Sequence, residues 1–163
     1  RLRALKGHGF NPKHILDIGA NMGMWTQGCR QVWPAASVFM LEADPKLDST
    51  LAKVGQPPHG HTIAVLGNTT RNITMLMLKP HAKVLRTTGN SLFKDVNDHK
   101  HYYVPRNVTM RTLDSVLEAR RPGVRFQMAK LDVQGAELLV LQGAPRTLSS
   151  LEVLLMEVSV SEN

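Results

Sequence analysis

Five apolar runs punctuate the chain, at His14–Ala20, Ser37–Ala43, His61–Leu66, Arg125–Val133 and Glu152–Val158. Several are nearly continuous in Ile, Leu, Val and Met, the pattern of parallel strands covered on both faces. Helical periodicity fills the intervals. Met22–Val32 follows the first run and Pro45–Val54 the second, while Thr112–Arg120 precedes the fourth and Ala136–Leu148 follows it. Strands alternating with helices predict right-handed crossovers and an α/β fold, a doubly wound and mostly parallel sheet. From Asn72 to Val108 the pattern is less regular. Ile73–Leu78 and Val108–Met110 read as extra strands, and the polar stretch Thr87–Asn107 as a loop or lid. A full sheet of this kind needs further strands after Val158, and the chain opens at Arg1. It is therefore read as a single domain over residues 1–163, truncated at both ends and lacking its C-terminal strands.

Composition narrows this picture only modestly. The 163 residues suffice for one core, and no run approaches the roughly 18 apolar residues of a membrane span. The single cysteine, Cys29, excludes an internal disulfide and a cysteine-based zinc site, and its helical setting beside Trp25 and Val32 predicts a buried apolar role. Three sequons, at Asn68, Asn72 and Asn107, leave a secretory origin open; a soluble, cytoplasmic domain is the default. The formal net charge is +7, unevenly spread: residues 1–128 carry 18 basic and 8 acidic groups, residues 129–163 carry 2 and 5. A nucleic-acid partner would suit that charge, but the basic residues are scattered and aromatics make up only 5%. A soluble basic surface explains the charge as well.

Candidate chemistry concentrates where strands end. Ile15-Leu16-Asp17-Ile18-Gly19-Ala20-Asn21-Met22-Gly23 reads as a buried strand with an acid, breaking into a glycine turn that opens a helix capped by Asn21. Its N–H groups suit an anion, and Asp17 suits the ammonium of an amino acid. The dinucleotide fingerprint is absent, since Asn21 replaces its second glycine. Glu42 ends the second strand 23 residues after Gly19, the place at which doubly wound folds grip a ribose diol. Lys130-Leu131-Asp132-Val133-Gln134-Gly135-Ala136-Glu137 closes the fourth strand, and Glu157 closes the fifth. Acids at the ends of buried strands require partners or ligands. Glu137 also complements a helix dipole. His99 and His101 with Asp95 and Asp98 have no standard metal-site spacing and read as polar loop, so no metal is assigned. His8, His14, His59, His61 and His81 have no evident partner, and Met75-Leu76-Met77 reads as core.

These motifs resemble the FkbM family of S-adenosylmethionine-dependent methyltransferases, over about His14 to Ser159. The resemblance implies a Rossmann-like class I methyltransferase sheet with S-adenosyl-L-methionine as cofactor. It implies a glycine turn, Asp17, Gly19, Ala20, Asn21 and Gly23, around the methionine moiety, with Glu42 and the adjoining Ala43 at the ribose. Ala64 is expected near adenine, and Asn90-Ser91-Leu92, with Ser91, near the cofactor or acceptor. The Lys-x-Asp-x-x-Gly-x-Glu signature, Lys130, Asp132, Gly135 and Glu137, borders the active site. Ala43 stands where the family usually has proline. The implied activity is methyl transfer to a hydroxyl oxygen of a sugar, other glycan or small molecule. A hydroxyl is a poor nucleophile, so a general base is expected: Asp132 first, then Glu137 and Glu157. An RNA methyltransferase, a non-catalytic cofactor-fold module and a nicotinamide oxidoreductase are the rivals, and the oligomeric state stays open.

Overall fold

A computed structural model of the chain describes residues 1–78 and 103–157. The strands are β1 (His14–Ile18), β2 (Ser37–Glu42), β3 (Gly60–Ile63), β4 (Val65–Leu66), β5 (Arg71–Leu78), β6 (Tyr103–Arg111), β7 (Met128–Leu131) and β8 (Val153–Met156). The helices are α1 (Leu2–Gly7), α2 (Met24–Val32), α3 (Asp48–Val54), α4 (Leu113–Arg120), α5 (Glu137–Gln142) and α6 (Pro145–Leu148). A five-stranded sheet runs in the order β3-β2-β1-β7-β8 with all its pairings parallel, and a smaller sheet in the order β4-β6-β5. This is the Rossmann-like α/β architecture expected from the apolar runs.

Alternation along β1 explains why those runs are continuous. Leu16 and Ile18 point to one face, where they join Phe39, Leu41, Leu131 and the α4–α5 side chains Leu113, Val116, Leu117 and Val140. Ile15 points to the other, against Val38, Met128 and the α2 side chains Cys29 and Val32. Both faces are covered, so both parities are apolar. Cys29 is fully buried, and burial together with the Asp17 charge pushes its thiol up to about 12, which suits packing and not nucleophilic attack.

Several elements depart from the sequence pattern. The run His61–Leu66 breaks at Ala64: β3 stays in the main sheet while β4 pairs with β6 in the smaller one. The helix expected over Ala136–Leu148 divides into α5 and α6 at Gly143-Ala144, with Pro145 opening the second. Helix α1, too short to show a period, lays Leu2 and Leu5 on the α2 side of the core. The loop expected over Thr87–Asn107 lies mostly outside the described residues, but Tyr103–Asn107 belongs to β6. That strand has one solvated face, and its antiparallel partner β5 supplies the hydrogen bonds that its own composition does not advertise. Met75, Met77 and Met110 bury the other face, as expected of the methionine run.

Two sequons face each other in this smaller sheet. The Thr74 hydroxyl donates to Asn107 Oδ1 at 3.0 Å, and the Thr109 hydroxyl to Asn72 Oδ1 at 2.9 Å. Reciprocal cross-strand pairs of this kind fix the register of an exposed face. Partners also emerge for three histidines: His14 Nδ1 meets the Ser37 hydroxyl at 2.7 Å, His59 Nδ1 accepts from the Val38 amide at 3.1 Å, and His61 Nε2 pairs with Asp48 at 2.9 Å. His81 and the His99–His101 group lie outside the described residues.

Asp114 ties α4 to α6. Its carboxylate accepts from the amides of Arg146 and Thr147, each at 2.9 Å, and from the Thr147 hydroxyl at 2.6 Å. Burial alone would raise its pKa, but these bonds and the Arg146 charge outweigh burial and hold it below the usual value. A carboxyl so depressed stabilises the fold fully above its unfolded pKa, near 4, and the contribution is lost as pH falls through the folded one. Asp114→Asn should therefore destabilise at neutral pH, with a smaller deficit near pH 3. Urea titrations at both pH values check this, and an equal deficit at each would refute it.

Candidate functional site

The chain steps outward from β1 through β2 to β3, then returns to lay β7 and β8 on the opposite side of β1. At such a switch point the loops leaving adjacent strands part in opposite directions and open a crevice at the carboxyl ends. A cavity of about 480 Å³ lies there. Gly19, Ala20 and Asn21 line it from the turn after β1, Glu42 and Ala43 from the end of β2, and Ala64, Val65 and Leu66 from the link into β4. Lys130, Asp132, Val133, Gln134 and Ala136 supply the β7 side. Met22, Met24, Trp25 and Met75 add an apolar surround. The volume falls within the range of small-molecule and cofactor sites.

The glycine turn is shaped by neighbouring backbone. Gly19 and Ala20 both donate their amides to Leu41 O, at 2.9 and 3.1 Å. Gly19 sits at φ +75°, and a Cβ there would stand 1.8 Å from the Asp132 carbonyl oxygen. The glycine therefore serves first the close approach of the β1 and β7 exits. Gly23, at φ +77°, lies at the N-cap of α2, where a Cβ would crowd Val54 at 3.1 Å, and it does not line the cavity. Nor does Asn21 cap that helix, as the sequence suggested: α2 has no side-chain cap, and Asn21 takes a left-handed conformation at φ +49°. Asparagine is among the few side chains that tolerate this.

Glu42 is fixed by this turn. Its Oε2 accepts from the Asn21 amide at 2.7 Å, and its Oε1 from the amides of Ala43 and Asp44 at 2.8 and 3.0 Å. A carboxylate offers about four lone-pair sites, so the room left is mainly on Oε2. Glu42 can take one further hydroxyl firmly, in place of the two-handed grip on a diol expected from its type.

Asp17 is placed differently from expectation. It follows Ile15 on the α2 face of β1, fully buried, and does not line the cavity. The Thr26 hydroxyl donates to its Oδ2 at 2.6 Å, while Oδ1 has no hydrogen bond. Burial raises its pKa above the usual carboxylate value, against the opposing pull of Lys130. Lys130, in register with Asp17 across β1 and β7, holds its ammonium 3.6 Å from Asp17 Oδ1. The same nitrogen donates to Gly19 O at 2.9 Å and lies 3.2 Å from Asp132 Oδ2. Lys130 thus stands between the buried acid and the cavity.

Of the three candidate bases, only Asp132 lines the cavity. The Gln134 side-chain amide donates to its Oδ1 at 3.0 Å. Glu137 turns back to accept the Val133 amide at 3.0 Å, closing the turn before α5, and Glu157 is exposed just beyond β8. Neither lines the cavity. Ser91 lies outside the described residues. Lys130 lines the cavity as the signature implied, whereas Met24, Trp25, Val65, Leu66 and Met75 line it without having been assigned to a site. The pairing of Lys130 with Asp17 was within reach too: two positions after the buried Met128, alternation puts Lys130 on the face of Asp17.

A parallel α/β sheet with its cavity at the switch point, an acid at the end of β2 and a glycine turn after β1 is the layout that nucleoside-cofactor folds share. The chain matches the methyltransferase FkbM domain over residues 17–163, and it belongs to that family of methyltransferases. No curated protein and no solved structure matches it.

Proposed function

We propose that the chain uses S-adenosylmethionine to methylate a hydroxyl oxygen of a sugar or other small molecule. The observation that carries this reading is the pairing of Glu42 and Asp132 across one switch-point cavity, with the Gly19–Asn21 turn between them. The charged lining residues Glu42, Asp132 and Lys130 sum formally to −1. That balance suits a net cationic cofactor and opposes a pyrophosphate, which argues against the nicotinamide reading. Glu42 Oε2 would hold a ribose hydroxyl, with adenine against Ala43, Ala64 and Leu66. The uncapped N-terminus of α2 leaves amides to meet the methionine carboxylate.

Held at Glu42, Ala43 and Ala64, S-adenosylmethionine would supply an electrophilic methyl group and a neutral thioether leaving group. The protein's part is to align the acceptor and to receive its proton. Asp132 faces the cavity with about 30% of its side chain exposed, and Lys130 and Gln134 each occupy one of its oxygens. One lone pair per oxygen remains for the acceptor hydroxyl. Met22, Met24, Trp25 and Met75 give the acceptor side of the cavity an apolar lining.

Glu42→Gln tests the cofactor half. Glutamine keeps one oxygen to accept from backbone amides but brings an NH₂ against them, so cofactor affinity should fall by about 1.5–3 kcal/mol. Calorimetry with S-adenosylhomocysteine, alongside NAD, reads this directly. Equal affinity in the variant removes Glu42 from the ribose site, and wild-type binding of NAD alone overturns the cofactor.

A further inference from the structure

Lys130 has no task in the reaction as described, yet it sits among the site's oxygens. Its ammonium is 2.9 Å from Gly19 O, 3.2 Å from Asp132 Oδ2 and 3.6 Å from Asp17 Oδ1. Asp17 Oδ1 is the buried side-chain oxygen without a hydrogen bond among the described residues. Of its three N–H donors one goes to Gly19 O, and the two carboxylate oxygens hold its charge as ion partners. The arrangement comes from two adjacent strand exits, β1 contributing Asp17 and Gly19, β7 contributing Lys130 and then Asp132, and from the Asp17–Lys130 register.

We infer that Lys130 is a specificity-determining residue of the cofactor site, whose ammonium occupies the oxygen set that the amino-acid ammonium of S-adenosylmethionine would otherwise take. This rests on the S-adenosylmethionine reading above. A ligand α-ammonium needs the same inventory of acceptors as a lysine, three oxygens with at least one carboxylate among them. The lining offers that set at Gly19 and Asp132, backed by Asp17, and Lys130 already holds it. Two cations cannot share it without repulsion, which in a partly buried site is not screened away. Lys130 therefore weakens the hold on the amino-acid end while leaving the nucleoside end, at Glu42 and Ala64, untouched.

The test compares two ligands that share a nucleoside thioether. S-adenosylhomocysteine carries the amino-acid end and 5′-methylthioadenosine lacks it. Calorimetry gives the ratio of their affinities for the wild type, for Lys130→Met and for Lys130→Arg. Lys130→Met should raise the ratio in favour of S-adenosylhomocysteine by about tenfold or more, the scale of one close charge–charge contact near a protein surface. Lys130→Arg keeps the cation and should leave the ratio near the wild-type value. Lys130→Met strands the buried Asp17, so Lys130→Gln, which can still hydrogen-bond these oxygens without charge, is measured beside it and should move the ratio the same way. An unchanged ratio in the neutral variants overturns the inference. A lower ratio overturns it too, and makes Lys130 a grip for the carboxylate. Wild-type protein that binds neither ligand overturns the cofactor reading and this inference together.

Discussion

Gly19→Val should unfold the domain, not merely block its cavity. The new Cβ would meet the Asp132 carbonyl oxygen at 1.8 Å, and that oxygen belongs to backbone at the end of β7. Neither strand can yield, because β1 pairs with β2 on its other edge and β7 with β8. The residue also sits at φ +75°, where a β-branched side chain is an outlier. Strain of this kind and the parting of two central strands should together cost at least about 3–5 kcal/mol, a large share of a domain's stability. Urea or thermal unfolding should show a protein with little or no native transition. A variant of wild-type stability that has lost only its cofactor affinity would return Gly19 to the role of a ligand cradle.

Asp132→Asn should instead leave a stable protein that turns over slowly. Asparagine keeps the shape of the side chain and an oxygen for Lys130, and gives up only the exposed bond from the Gln134 amide. It cannot accept the acceptor's proton, and loss of a general base costs about 10²-fold or more in rate, near 2.7 kcal/mol of barrier. Transfer of a labelled methyl from S-adenosylmethionine to the hydroxyl acceptor used best by the wild type should fall by that factor. Affinity for S-adenosylhomocysteine should stay within a few-fold. If affinity falls while saturated turnover holds, Asp132 positions the cofactor. Unchanged turnover and affinity would leave it a structural partner of Lys130.

The layout of the main sheet was legible because both faces of it are covered. Ile15, Leu16 and Ile18, or Val38 to Leu41, are buried whichever way they point, and such runs cannot be mistaken for solvated strands. The smaller sheet was not legible to the same degree. Tyr103–Asn107 is half solvated and its pairing partner lies some 30 residues earlier in β5, so its strand character is imposed by β5 rather than carried in its own residues. At the site, Glu42 and Asp132 were found because each lies at the very end of its strand, where either parity opens on the crevice. Asp17 lies one residue short of that end, and parity decides its fate: it turns under α2 with Ile15, beneath Lys130. The left-handed turns at Asn21 and Gln134 were invisible, since neither residue type demands a positive φ. Glu137 looked equally at home in a site or in a helix's first turn, and its bond to the Val133 amide assigns it to the turn.

The pairing of β1 with β7 has a consequence for how the chain folds as it is made. Ile15 meets Met128 across that ladder, a sequence separation of 113 residues through the middle of the sheet. At ribosomal speeds of about 5–20 residues per second, β1 waits roughly 6–23 s for its second neighbour. Contacts so distant in sequence raise contact order and slow folding once the chain is complete. During the wait one edge of β1 is open and nearly all apolar, which invites pairing with another nascent chain. Asp17 is the exception in that edge, and it acts there as a gatekeeper, its carboxylate best left in water until Lys130 arrives. The same ion pair therefore rewards β1 for taking β7 as its neighbour rather than a strand that brings no cation opposite Asp17.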